Sequence, residues 1–441
     1  LTGAYPYRHG IYHSFSHPDS LRLELPTLPG ELRKLGYWSF VAADYVGNNF
    51  SSCDMGFDRV TAPPDFSIQV VVRVMVLKKH GFILPFITNR AGAAFFPELV
   101  FMPSWSDASV LNKNFDNILK GVPGTRNVMG IVFYSNVHFP FTSPYPYYKL
   151  YADPDYYGPN QYAYEVKSLF DLWKLEQDPP AVEVEQIRNL YDGAVRYIDE
   201  AVGELVEILK KRGRYENSII VFLSDHGEQL FENKTVIAHG KYLSGGDGAL
   251  RIPLVFRFPG GKFAARTIEP LVRNIDIFPT IMECLEQEPP LSVEGESILP
   301  LLSRSGSEED SRIMYAETGI WFSTLARYRE EFYTYPIIYK MVDAMGDTAT
   351  PLHLKKKYEF EVQRAKRRMV RSRRFKLIYL PKKSGAVYSL YDMQADPGQV
   401  TDISSRYPDV TDRFKEVILS HMRQIPGYRL DERDILQVEE K

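Results

Sequence analysis

Cysteine is nearly absent: Cys53 and Cys284 are the only two in 441 residues. Two thiols cannot build a disulfide framework or a thiolate-ligated zinc site, so both read as small apolar residues. Long apolar runs are missing as well. The most apolar stretch, residues 68–77, is short and broken by Gln69 and Arg73, well under the roughly 18 residues of a spanning helix, and no membrane span is expected. Charge of one sign is also lacking. A net charge of −3 gives no reason to expect an obligatory polyanionic partner, and nucleic acid is not expected. No G-x-S-x-G elbow, P-loop or dinucleotide fingerprint occurs, which sets those enzyme classes aside. No signal peptide is visible, but the chain opens on Leu1-Thr2-Gly3 rather than Met, so the compartment stays open. Two sequons, at Asn49 and Asn233, matter only in a eukaryotic secretory setting.

What is there describes an ordinary globular protein, with 44% hydrophobic and 25% charged residues. The length predicts one large domain and a smaller one. Apolar runs rich in β-branched residues alternate with helical periodicity, which argues for α/β. A short helix is expected over 28–35 and strands over 37–43, 128–135 and 218–224, all three buried. The strongest helical signal spans about 183–212, where Ile187, Tyr191, Ala194, Ile198, Ala201, Leu205 and Leu209 recur at spacings of three and four. A strand over 252–258 and a helix over 275–285 follow. Beyond about residue 302 a Ser/Glu-rich connector leads to a different texture. Residues 369–380 and 387–391 alternate like an antiparallel pair, and a helix over about 410–425 closes the chain. We therefore expect a main domain over 1–302 and a C-terminal subdomain over 303–441.

Three of the expected strands run into polar residues: Asp44, then Asn136 and His138, then Asp225 and His226. Ligands of open α/β sheets sit beyond the carboxyl ends of strands, so these residues point to one shared site. The run Asp225-His226-Gly227-Glu228 is the sharpest signal, because a carboxylate beside an imidazole at a tight turn can present two donors to one divalent ion. Oxygen donors suit calcium or magnesium, and imidazole shifts the preference toward zinc or manganese. The plain alternative is a helix-capping Asp followed by a surface His.

The company of that run resembles the sulfatase signature. Ser224-Asp225-His226-Gly227-Glu228 is followed by His239-Gly240-Lys241 and then Leu250-Arg251-Ile252-Pro253-Leu254-Val255. The opening Leu1-Thr2-Gly3 with Arg8-His9-Gly10, the Pro26-Thr27-Leu28 helix, His138-Phe139-Pro140-Phe141, and Asp276-Ile277-Phe278-Pro279-Thr280 are similar to family segments in the same order. So are Arg374-Phe375-Lys376-Leu377-Ile378 and Leu390-Tyr391-Asp392. The resemblance implies an alkaline-phosphatase-like α/β sandwich, with a large mainly parallel or mixed sheet flanked by helices and a smaller C-terminal antiparallel subdomain. It implies a sulfuric ester hydrolase acting on small-molecule or glycan sulfate esters. The nucleophile would be a formylglycine within a Cys/Ser-x-Pro-x-Arg motif just before Leu1-Thr2-Gly3, together with a first strand carrying further metal ligands. Neither is present, so the chain as given is expected to be an N-terminally truncated copy without esterase activity. Asp225 and His226 correspond to metal ligands, with calcium the first expectation and magnesium, manganese or zinc next. His138 and His239 correspond to sulfate-binding or leaving-group residues, and Lys241 is a second candidate for the leaving-group role.

The likeness departs at residues 43–49, where many sulfatases carry a Lys and a His and this chain has neither. That keeps phosphodiester or phosphonate hydrolases and phosphoethanolamine-type transferases of the same superfamily as alternatives, and a non-catalytic pseudoenzyme if the gene starts near Leu1. Arg8 and His9 read either as braces of the first helix or as direct contacts. Residues 364–376 hold eight Lys or Arg, expected to form a solvated face of the C-terminal subdomain, with a polyanionic substrate rim second.

Overall fold

The computed structural model describes residues 1–13, 15–16, 24–44, 47, 49–62, 107–164, 179–232, 239, 243–303, 312–321, 331–343 and 352–439. Helix α1 (Leu28–Lys34) starts where Thr27 accepts a hydrogen bond from Gly30 N–H, and Gly36 in the left-handed region turns the chain after it. Its Leu28 and Leu32 bury against Phe278 and Met282 of α4 (Ile277–Cys284). Strand β1 (Trp38–Ala43) lies between β2 (Arg59–Thr61) and β3 (Val128–Phe133), parallel to both, with Trp38 opposite Val128 and Ala43 opposite Phe133. Parallel strands need both faces covered. Over one face of β1, Phe40 and Ala42 meet Phe115, Ile118 and Leu119 of α2 (Ala108–Lys120) and Leu205, Ile208 and Leu209 of α3 (Ala181–Lys211). The long helix has the expected periodicity: Ile187, Leu190, Ala194, Ile198 and Ala201 are all buried on one stripe.

Strands β4 (Ile220–Leu223) and β5 (Leu254–Arg257) form a separate antiparallel pair. Here the structure corrects the expectation of buried strands. β3 is only half-buried, and Phe222 and Leu223 of β4 are 39% and 40% exposed. The physical reason is pairing: among the described residues, neither β3 nor β4 has a strand on its second edge.

The C-terminal sheet is larger than the expected pair. Its order is β9 (Gly385–Asp392), β8 (Phe375–Lys382), β7 (Arg368–Arg371) and β6 (Met314–Glu317), antiparallel throughout. Helix α5 (Pro408–Arg423) covers one face, where Phe414, Ile418, Leu419 and Met422 pack on Val370, Leu377, Tyr379 and Leu390. Tyr5, Tyr7 and Tyr12 from the start of the chain join this core.

The basic stretch 364–376 is not the solvated face expected. Lys366, Arg367, Arg368 and Lys376 are buried, at 4% exposure or less, and only Arg373 and Arg374 face solvent. Burial of charge requires partners. Lys366 Nζ lies 2.7 Å from Glu317 and donates to the Tyr12 carbonyl at 3.1 Å, while Arg368 gives its guanidinium to the carbonyls of Gln363 and Lys366. Cys53 is buried and Cys284 half-buried. No described helix is long and apolar enough to cross a membrane.

Candidate functional site

The strand ends deliver the polar residues as expected. β1 runs into the buried Asp44, whose carboxylate accepts the Ser135 N–H just past β3 at 2.6 Å, tying the two ends together. The chain then turns through a His138 N–H to Ser135 C=O bond of 2.8 Å, which brings His138 back over the sheet edge. β4 runs into Asp225 and His226. This turn is clamped by the segment that follows His239: Gly227 N–H donates to the Ala249 carbonyl at 3.0 Å. A Cβ on Gly227 would sit 2.9 Å from the Arg251 carbonyl oxygen and closer still to that of Gly248, so no side chain fits between the two backbones. Inside the turn, Asp225 Oδ1 accepts the His226 N–H at 3.0 Å and Ser224 Oγ donates to the His226 carbonyl at 2.6 Å.

Three imidazoles meet there. The His226 and His239 rings stack with centroids 3.8 Å apart at 18°, and His138 lies 5.1 Å from His239 and 6.4 Å from His226. Each ring is held through Nδ1. In His138 that atom faces the Phe139 carbonyl at 2.7 Å, and in His226 the Gly227 carbonyl at 2.8 Å. A carbonyl only accepts, so both Nδ1 atoms carry the proton and both Nε2 atoms keep a lone pair. His239 Nδ1 instead meets Glu228 Oε2 at 3.0 Å.

Glu228 is the residue that sequence reasoning left without a role. Its carboxyl is almost wholly buried and its Oε1 has no hydrogen-bond partner among the described residues. Burial drives its pKa up to about 7, against smaller downward pulls from His138 and His226. Burial also dominates the two deepest imidazoles. His138 is pushed down to about 4, helped by the neighbouring His239 ring, and His239 to about 3, helped by His226 and opposed by Asp225. His138 and His239 are therefore neutral near pH 7, beside a Glu228 whose carboxyl holds its proton to a higher pH than an exposed one.

Asp225 Oδ1 stands 3.8 Å from His226 Nε2, so the pair can present a carboxylate oxygen and an imidazole lone pair to one cation. That fits part of a divalent-metal site: among the described residues no cluster of three or more His, Cys, Asp or Glu is arranged around an ion position. Lys241 lies outside the described residues. Arg8 Nε lies 3.7 Å from Glu294, and His9 Nδ1 accepts the Ile11 N–H at 3.1 Å.

The family model described as Sulfatase matches residues 1–287. Among curated proteins, the multifunctional alkaline phosphatase superfamily protein PehA of Trinickia caryophylli is 28% identical over 47% of this chain and 43% of its own length. The N-acetylglucosamine-6-O-sulfatase of Bacteroides thetaiotaomicron is 26% identical over 50% of this chain and 32% of its own length. The chain thus spans less than half the length of these curated relatives. Among solved structures, a phosphonate monoester hydrolase of Silicibacter pomeroyi superposes with a TM-score of 0.64 at 19% identity, covering 100% of this chain and 88% of the other. A protein solved in complex with its substrate D-glucosamine-2-N,6-O-disulfate gives 0.62 at 16% identity, covering 98% and 88%. These likenesses establish the fold, an alkaline-phosphatase-like α/β architecture.

Proposed function

Because the chain belongs to the sulfatase family, we propose that the whole protein is a sulfuric ester hydrolase whose site is the imidazole cluster at the ends of β3 and β4. The observation that carries this reading is the convergence of His138, His226 and His239 beside Asp225, with Nε2 lone pairs preset on His138 and His226. Asp225 and His226 act as two of the ligands of a divalent metal, calcium being our first choice and magnesium, manganese or zinc the alternatives. Such a metal, when bound, supplies positive charge to the oxygens of the sulfuryl group. His138 orients one of those oxygens. His239 is neutral with its hydrogen on Nε2 when a protonated Glu228 donates to its Nδ1. The ring then gives the Nε2 proton to the departing alcohol oxygen and takes the Glu228 proton at Nδ1, with Lys241 as the second candidate for that step. The attacking group, of formylglycine type, belongs to a segment ahead of Leu1, together with further metal ligands. Sulfated sugars are the substrate class we favour, a choice supported by the N-acetylglucosamine-6-O-sulfatase among the relatives.

One observation favours a second reading. Residues 43–49 offer neither Lys nor His to a tetrahedral anion, which suits a phosphodiester or phosphonate as well as a sulfate. The test is a paired assay of the full-length protein with an aryl sulfate and an aryl phosphodiester, alongside measurement of bound metal. We expect faster turnover of the sulfate, and loss of both metal and turnover in Asp225→Ala and His226→Ala. Preference for the diester transfers the reading to phosphoester hydrolysis. Metal retained at full occupancy in both variants overturns the ligand assignment, and no turnover of either ester overturns the enzyme.

A further inference from the structure

Lys376 and Arg371 stand directly opposite one another on adjacent antiparallel strands, β8 and β7. Opposed like charges destabilise a sheet pair, and here Lys376 is fully buried and Arg371 mostly so. Both cations turn to one carboxylate, Asp247, from a loop 129 positions away in sequence. Lys376 Nζ lies 3.0 Å from Oδ1 and Arg371 Nη1 lies 2.6 Å from Oδ2. The ammonium also reaches the Gly246 carbonyl at 3.5 Å and Gln399 Oε1 at 3.4 Å.

Asp247 lies in the same short loop as the clamp on the Asp225-His226 turn. Its carbonyl accepts the N–H groups of Leu250 and Arg251, both at 2.8 Å, which fixes the tight turn that presents Ala249 to Gly227. Gln229 Nε2 adds a bond to the Ser244 carbonyl at 3.2 Å, and Leu243 buries against Met369 and Ile378 of the C-terminal sheet. The loop is thus held on one side by the sheet and grips the turn with the other.

We propose that Asp247, Lys376 and Arg371 are positioning residues, through which the C-terminal sheet sets the geometry of the Asp225-His226 turn. This rests on the reading of that turn as the reactive site, and it assigns a role in the site to a sheet that lies beyond the family match at residues 1–287. Removing the carboxylate alone is the most damaging change, because it leaves two cations facing each other. Removing one cation as well relieves that conflict.

The experiment compares Asp247→Asn, Asp247→Asn with Lys376→Met, and Lys376→Arg in the full-length protein. Amide hydrogen exchange over residues 225–229 is read beside thermal stability and steady-state kinetics. In Asp247→Asn we expect exchange at the Gly227 amide to rise by about tenfold while α3 keeps its protection. We expect kcat to fall by about tenfold with KM little changed. The double variant should recover part of both losses, and Lys376→Arg, which keeps the charge in a larger side chain, should fall between wild type and Asp247→Asn. A lower melting temperature with Gly227 protection and kcat unaltered overturns the proposal, leaving the trio as glue for the sheet alone. The exchange arm needs no substrate. A protein inactive toward every ester would sink the sulfatase reading while leaving the coupling between loop and turn measurable.

Discussion

His239 carries the most specific chemistry in the proposal, and its role separates by leaving group. A general acid matters only where the departing oxygen needs a proton. In the full-length protein, His239→Ala is expected to slow alkyl or sugar sulfates by roughly a hundredfold and nitrophenyl sulfate far less, with metal content unchanged. Equal slowing of both substrates would move His239 to substrate binding, and loss of metal would make it a ligand. Glu228→Ala should reproduce most of that selectivity, and the two substitutions together should cost little more than His239→Ala alone, since they act through one bond. At this scale the sequence is informative only where partners are adjacent. Asp225 and His226 stand side by side at a strand end, so their shared direction could be read from the tight turn. Glu228 belongs to the same run, but its partner lies eleven positions on, and nothing local says that its carboxyl turns inward. Lys376 was legible as a cation and illegible as a buried one, because its counter-charge is 129 positions away.

Within α3 two glycines make opposite predictions. Glycine in a helix interior costs about 1 kcal/mol relative to alanine. At Gly203, exposed and with open space around it, Gly→Ala should recover about that amount and raise the melting temperature. At Gly193 an added Cβ would press into the Tyr147 carbonyl, 3.1 Å from its carbon and nearer its oxygen. The helix would have to lift off the segment carrying Tyr147 and Tyr148, so Gly193→Ala should destabilise by about 2 kcal/mol despite the better propensity. Thermal melts of the two variants read the signs, and stabilisation at both positions would refute the close approach. The helix itself was plain from its period, since Ile187, Ala194, Ile198 and Ala201 keep the stripe that a 3.6-residue turn requires. Burial of β3 and β4 was misjudged for a reason of the same kind. An apolar run such as Ile220 to Leu223 states what a strand prefers, while cover depends on which neighbours pair with it.

For the molecule as a whole, the start of the chain and the C-terminal sheet share a core, which creates an acid liability. His9 and His13 are both pushed from 6.5 to about 4 by burial, with Lys366 adding to the effect. Their folded values lie below the unfolded one, so the unfolded chain binds more protons between those limits. The stability they contribute is complete above pH 6.5 and is lost as the pH falls through about 4. Melting temperature should therefore drop over this window, and the drop should be shallower in His13→Asn. An equal slope in the variant would show that His13 titrates normally. None of this was visible beforehand. His9 read as a residue of an N-terminal motif, and nothing in the sequence placed it or His13 against Lys366, more than 350 positions later.

The facing cations Arg371 and Lys376 also constrain the order in which the protein can assemble. Hairpins are normally among the first structures to form because their contacts are local. This one is held back by its own charges until Asp247 arrives from a distant part of the chain, so the hairpin and the loop must become native together. Unfolding should then appear as one cooperative event across both regions, with matching calorimetric and van't Hoff enthalpies.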